Sequence, residues 1–184
     1  MRWFWIDRFE EFIHGVRACA IKNVALAEDY LDELSPGHPF LPASLVVEGL
    51  AQTGGLLVAQ YNGYQERVVL AKITRAKFHS IACPGDTIRY ETTLDDIRND
   101  GALVTGRGTV GDRPLVDLEL MFAHLDERIA DHDLFVPADF LRMLRILKLY
   151  DVGRHPDGSP LEIEPHLLEA EAAAMGLGSP QTNL

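Results

Sequence analysis

The chain has 184 residues, of which 47% are hydrophobic and 24% charged, enough to bury a core in one domain with an appendage. Its formal charge of −11, with no basic stripe to offset it, sets aside nucleic acid and an anionic membrane surface as partners. Two cysteines cannot build a disulfide framework, the opening MRWFWIDRFEEF lacks a signal-peptide core, and the longest apolar stretch is interrupted by Glu48, Gln52 and glycines; the expectation is a cytoplasmic protein with no membrane span, no metal and no other cofactor.

In chain order, WFWIDRFEEF (3–12) and VRACAIKNVA (16–25) read as extended segments joined around His14-Gly15 as a hairpin. Pro36, Gly37, Pro39 and Pro42 make residues 26–42 a loop. From Ala43 to about Gln60 the sequence is apolar on nearly all sides and too long for one strand, which predicts a buried central helix. Pro42 suits its start and Ser44 is a capping candidate. VVLAKITRAKF (68–78) is extended but does not alternate cleanly. After the turn Pro84-Gly85-Asp86 comes IRYETTLDD (88–96), whose Ile88, Tyr90, Thr92 and Leu94 share a face. Asn99-Asp100-Gly101 predicts a hairpin into ALVTGRGTV (102–110). The turn GDRP then leads to LVDLELMFAH (115–124), with Val116, Leu118, Leu120 and Phe122 on one face. PADFLRMLRILKLYDVG (137–153) predicts an amphipathic helix with Phe140, Met143, Leu144 and Leu147 near one stripe, ended by Gly153. EPHLLEAEAAAMG (164–176) predicts a second short helix. The plan is α+β: a strand pair, one buried helix and an antiparallel meander that must cover that helix. It divides into a domain over 1–126 and a C-terminal helical extension and tail over 127–184.

WIDR (5–8), AIKNV (20–24), LPASLVVEGLAQTGG (41–55), PGD (84–86) and LVDLELMFA (115–123) follow one another in an order and spacing that resembles the hot-dog fold. Within that fold the chain resembles the 3-hydroxyacyl-(acyl carrier protein) dehydratases of fatty acid synthesis, from Trp3 to His124. The resemblance implies an antiparallel sheet wrapped around the central helix. It also implies an acyl thioester substrate on acyl carrier protein or coenzyme A, and a homodimer or dimer of dimers whose cleft is shared between subunits. Dehydration removes a proton alpha to the thioester carbonyl and expels the beta-hydroxyl, which takes a base, a proton donor and donors to an enolate-like oxygen.

By the same resemblance Glu48 is the helix acid. Read from the residues alone, a charged carboxylate within LVVEGLA is expensive to bury unless paired or protonated, which suits a proton donor and equally a glutamate held by an amide or arginine. Gln52, four residues on, shares its helical face, where it orients the carboxyl, binds substrate or simply satisfies Glu48. The amides of Ala43 and Ser44 at the helix start are placed as oxyanion donors. Pro36-Gly37 fix the register of the preceding loop without a gap, so the slot of the family's catalytic histidine falls on Leu34. His38 takes that role only if four loop residues are deleted; otherwise it is a solvent-facing residue of a proline-bounded turn. Lys72, Arg75 and Lys77 form the basic cluster of the core domain, either a docking patch for an acidic carrier protein or a solvated strand face. The expected function is therefore an acyl-thioester-binding dehydratase, or a divergent member with impaired catalysis. A thioesterase using Glu48 and a non-catalytic acyl-binding subunit are the alternatives.

Overall fold

The computed structural model describes residues 4–28, 31, 37–125 and 136–176. Leu34 and its neighbours on either side, 32–36, lie outside them. Strands β1 (Arg8–Ile13) and β2 (Arg17–Asn23) form the opening hairpin. Gly15 turns it at φ 65°, close against the Tyr61 ring. β1 starts at Arg8, later than the extended pattern reads, because the Trp5 N–H donates to the Gln52 side chain instead of joining the ladder.

Helix α1 (Ala43–Tyr61) is the central helix. Its cap position is Pro42, whose carbonyl accepts from the N–H groups of Leu45 and Val46, and no side chain caps it; Ser44 sits within the first turn, two positions too late to cap. The helix lies close on the sheet because small residues face it. A Cβ on Gly49 would stand 2.5 Å from the Tyr90 ring, and the Phe122 ring packs against Gly54 and Gly55. Strands β3 (Arg67–Phe78), β4 (Thr87–Arg98), β5 (Gly101–Val110) and β6 (Arg113–Leu125) complete an antiparallel meander in the spatial order β3-β6-β5-β4-β2-β1. Ile88, Tyr90 and Thr92 of β4, and Val116, Leu118, Leu120 and Phe122 of β6, are buried on the shared faces that their alternation predicts. Asn99 and Asp100 make the two-residue turn between β4 and β5. The architecture is the α+β hot-dog arrangement.

β3 is an edge strand. From Leu70 to Phe78 every residue is exposed on both faces, which is why its sequence carries no alternation. Its register against β6 slips between Leu70 and Lys72 and again between Ile73 and Arg75. The opposite edge is closed. The segment read as one helix over 137–153 breaks at Lys148, which adopts a left-handed conformation (φ 57°). It gives α2 (Pro137–Ile146), α3 (Leu149–Val152) and a two-residue strand β7 (Gly153–Arg154). The break sets Leu147 O to accept from Phe9 N (2.8 Å) and Arg154 O to accept from His14 N (2.9 Å), while β7 runs parallel to β1 at Phe12 and Ile13. The outer edge of β1 is thereby satisfied. The buried stripe of α2 is Ala138, Leu141 and Leu144, followed by Leu147; Phe140 and Met143 are half-buried and line a cavity beside α1. Helix α4 (Pro165–Ala174) packs on α2, tied by an Arg145–Glu171 ion pair.

Candidate active site

Periodicity puts Glu48, Gln52, Gly55, Leu56 and Ala59 along one flank of α1, and that flank is one wall of a half-open cavity of about 1390 Å³. β3 and β6 contribute Val68, Leu70 and Phe122, and the C-terminal segment contributes Phe140, Met143 and Leu167. Glu48 is half-buried on this wall, so helical burial is relieved by the cavity and not by a salt bridge. Its Oε1 accepts from Gln52 Nε2 at 3.0 Å, and Glu48 forms no ion pair among the described residues. Gln52 in turn accepts the Trp5 N–H through Oε1 at 2.9 Å. Because the backbone donor claims the amide oxygen, the amide NH2 must face Glu48. Gln52 is thus a positioning residue that fixes one carboxylate oxygen and leaves Oε2 for a ligand.

The other expected residues fall in several places. Ala43 and Ser44 are exposed at the start of α1, about one turn before Glu48 and outside the cavity lining. His38 is exposed in the turn after Gly37, also away from the lining. The slip of β3 between Ile73 and Arg75 brings Lys72 onto the face of Arg75 and Lys77, the three lying opposite Met121, Glu119 and Asp117. Arg75 meets Glu119 at 3.4 Å, so that patch is partly neutralised. Asp117 is held below the usual carboxylate range, first by its hydrogen bond with His79 and then by Arg107. His14 bonds Gln60 Oε1 at 2.5 Å and stacks on Tyr61. Among the described residues no three His, Cys, Asp or Glu side chains converge as metal ligands.

Two cavity residues escaped the sequence reading, His124 at the end of β6 and His166 on α4. Neither has a spacing signature; only the fold brings them to the wall that Glu48 shares. Tyr64, also on the wall, has its phenol pushed well above the ordinary value, mainly by burial and then by Tyr150 and Glu164, and stays neutral.

A FabA-like domain model matches residues 4–117. The 3-hydroxyacyl-[acyl-carrier-protein] dehydratase FabZ of Ligilactobacillus salivarius is 37% identical over 118 residues, 64% of this chain and 84% of that protein. The FabZ of Thermomicrobium roseum is 34% identical over 126 residues, 68% of this chain and 85% of that protein. In fold, the dehydratase heterocomplex ApeI:P from Xenorhabdus doucetiae matches at TM-score 0.57 and 12% identity, covering 67% of this chain and 84% of that one.

Proposed function

Since this chain belongs to the family of FabA-like domains, we propose that it is a dehydratase of 3-hydroxyacyl thioesters in fatty acid synthesis, with Glu48 as its acid and base. The observation that carries the reading is the Glu48 carboxyl, steered by Gln52 and Trp5, on the wall of a largely apolar cavity that can take an acyl chain. With leucine in the histidine slot, one carboxyl performs both proton transfers. As carboxylate it takes the proton alpha to the thioester carbonyl. As carboxylic acid it returns that proton to the beta-hydroxyl oxygen, which leaves as water while the carbon–carbon double bond forms. Doing both tasks with one group of one acidity makes turnover slow relative to a two-group site.

In the same proposal the carrier is acyl carrier protein, docking against Lys72, Arg75 and Lys77. The chain works as a homodimer paired through the open β3 edge, where Leu70, Ile73 and Phe78 are exposed, and Ala43 and Ser44 supply oxyanion donors across the shared cleft. A cytoplasmic setting fits the two free cysteines, and among the described residues no helix is long and apolar enough to cross a membrane. Residues 127–184 act as an extension of the dehydratase-like domain, and within it Phe140, Met143, His166 and Leu167 help to line the cavity.

The test is a purified sample given 3-hydroxyacyl thioesters, with enoyl product and free thiol followed in parallel. The expected result is enoyl thioester without thiol release, falling about 100-fold or more in Glu48→Gln and rising about tenfold or more in Leu34→His. Thiol release without enoyl product would replace the reading with thioester hydrolysis. Loss of activity in His38→Ala would overturn the gapless register that puts Leu34 in the slot.

A further inference from the structure

The cavity wall is apolar in its middle and polar at both ends. Glu48 and Gln52 make one end; His124, Glu66 and Asp100 make the other. The fold sets the separation. Phe122 packs on Gly54 and Gly55, which follow Glu48 by about 10 Å of helix rise. His124 lies two residues beyond Phe122 on the same face of β6, about 7 Å further along the strand. Laid end to end these two steps come to about 17 Å along the wall. Gly55, Leu56 and Ala59 form the apolar stretch between them.

The far end holds an unsatisfied group. The His124 side chain is only 5% exposed. Its Nδ1 comes within 2.8 Å of Glu66 Oε2 but out of line for a hydrogen bond, and its Nε2 has no hydrogen-bond partner among the described residues. A buried ring nitrogen without a partner is costly, and this one belongs to a side chain that lines the cavity.

We propose that this end of the cavity is a subsite for a hydroxyl group carried at the tail of the acyl chain, so that the protein prefers hydroxyl-tailed acyl thioesters to plain alkyl ones. The proposal rests on the acyl-thioester reading above and names its substrate class. A hydroxyl both donates and accepts, so it satisfies either neutral tautomer of His124. A carboxylate tail would face Glu66 and Asp100, with Arg67 as the cation on the same wall, and is disfavoured by the acidic excess. A methyl end would leave Nε2 without a partner.

Binding, not turnover, is the readout. Saturated acyl thioesters of N-acetylcysteamine, long enough to span the two ends and with or without a terminal hydroxyl, are titrated into the full chain. The expected result is about fivefold tighter binding of the hydroxyl-tailed ligand, a preference that vanishes in His124→Leu and is restored in His124→Gln. The 15N signal of His124 Nε2 moves with the hydroxyl-tailed ligand and stays with the plain one, a measurement that does not depend on either variant folding. Equal binding of both ligands to the unaltered chain overturns the subsite and leaves the acyl-thioester reading in place. Failure to bind either overturns both. Plain chains on coenzyme A serve as the third arm. If they bind tighter than on N-acetylcysteamine, and lose that gain in His124→Leu, the polar partner is the carrier arm and the tail proposal fails.

Discussion

Gln52 decides what Glu48 can do. Four residues apart on one helical face, the two were legible as a pair in the sequence, but the direction of the amide was not. That is set by the Trp5 N–H, which lies 47 positions away and claims the Gln52 oxygen. Gln52→Leu removes the steering and leaves the Trp5 donor without that acceptor. The expected outcome is a fall in kcat of about tenfold with KM little changed, and a loss of about 1 kcal/mol in stability by denaturant titration. His124 was illegible for the opposite reason: a lone histidine at a strand end has no periodic partner, and only cross-strand placement puts it on the cavity wall. Cys19 supplies a prediction in pH. Burial, opposed by Arg89, pushes its thiol from 9.0 up to about 12. A raised folded value means its contribution is complete below the unfolded value and is lost as pH rises from about 9 toward 12. Thiol reagents at neutral pH are expected to label the half-buried Cys83 and spare Cys19, and Cys19→Ala to lose less stability than the unaltered chain over that alkaline window.

At the scale of elements, β4 and β6 announced themselves because one face of each is buried and the other is not. β3 gave no alternation because from Leu70 to Phe78 both of its faces are bare, and the absence of pattern is itself the mark of an unpaired edge. Its register slip between Ile73 and Arg75 also explains how Lys72, Arg75 and Lys77, which do not share one parity in sequence, come to share one face. If two copies join along β3, Ile73→Asp places a charge in that seam without touching the core. The expected outcome is a halved mass in sedimentation, with the far-ultraviolet circular dichroism unchanged. The single helix expected over 137–153 was a misreading of another kind. Its periodicity continues across Lys148, but the backbone turns there so that Leu147 and Arg154 can present carbonyls to β1, and tertiary hydrogen bonding overrides a helical pattern.

The described residues share one buried cluster, and it does not stop where the matched family region stops. Residues 4–117 carry the family resemblance, yet Leu141, Leu144, Leu147, Leu149 and Leu161 belong to the same buried cluster as Phe9 and Phe12. Leu144 is fully buried, and Leu144→Ala is expected to cost about 2–5 kcal/mol in a denaturant melt, in a single transition shared with the rest of the chain. Two separate transitions would show that the C-terminal segment folds on its own. The composition hinted at none of this: the segment reads as amphipathic, and which surface its apolar stripe meets is written in the hydrogen bonds to β1.

The sealing of β1 by β7 also limits how copies of this molecule can accumulate. A sheet with two bare margins can recruit neighbours at each end and lengthen without bound, which is how ribbons and fibres begin. Here one margin is capped by the molecule's own C-terminal segment, so if copies join through the other margin that growth ends at two, because among the described residues no second bare margin is left for a third copy to extend.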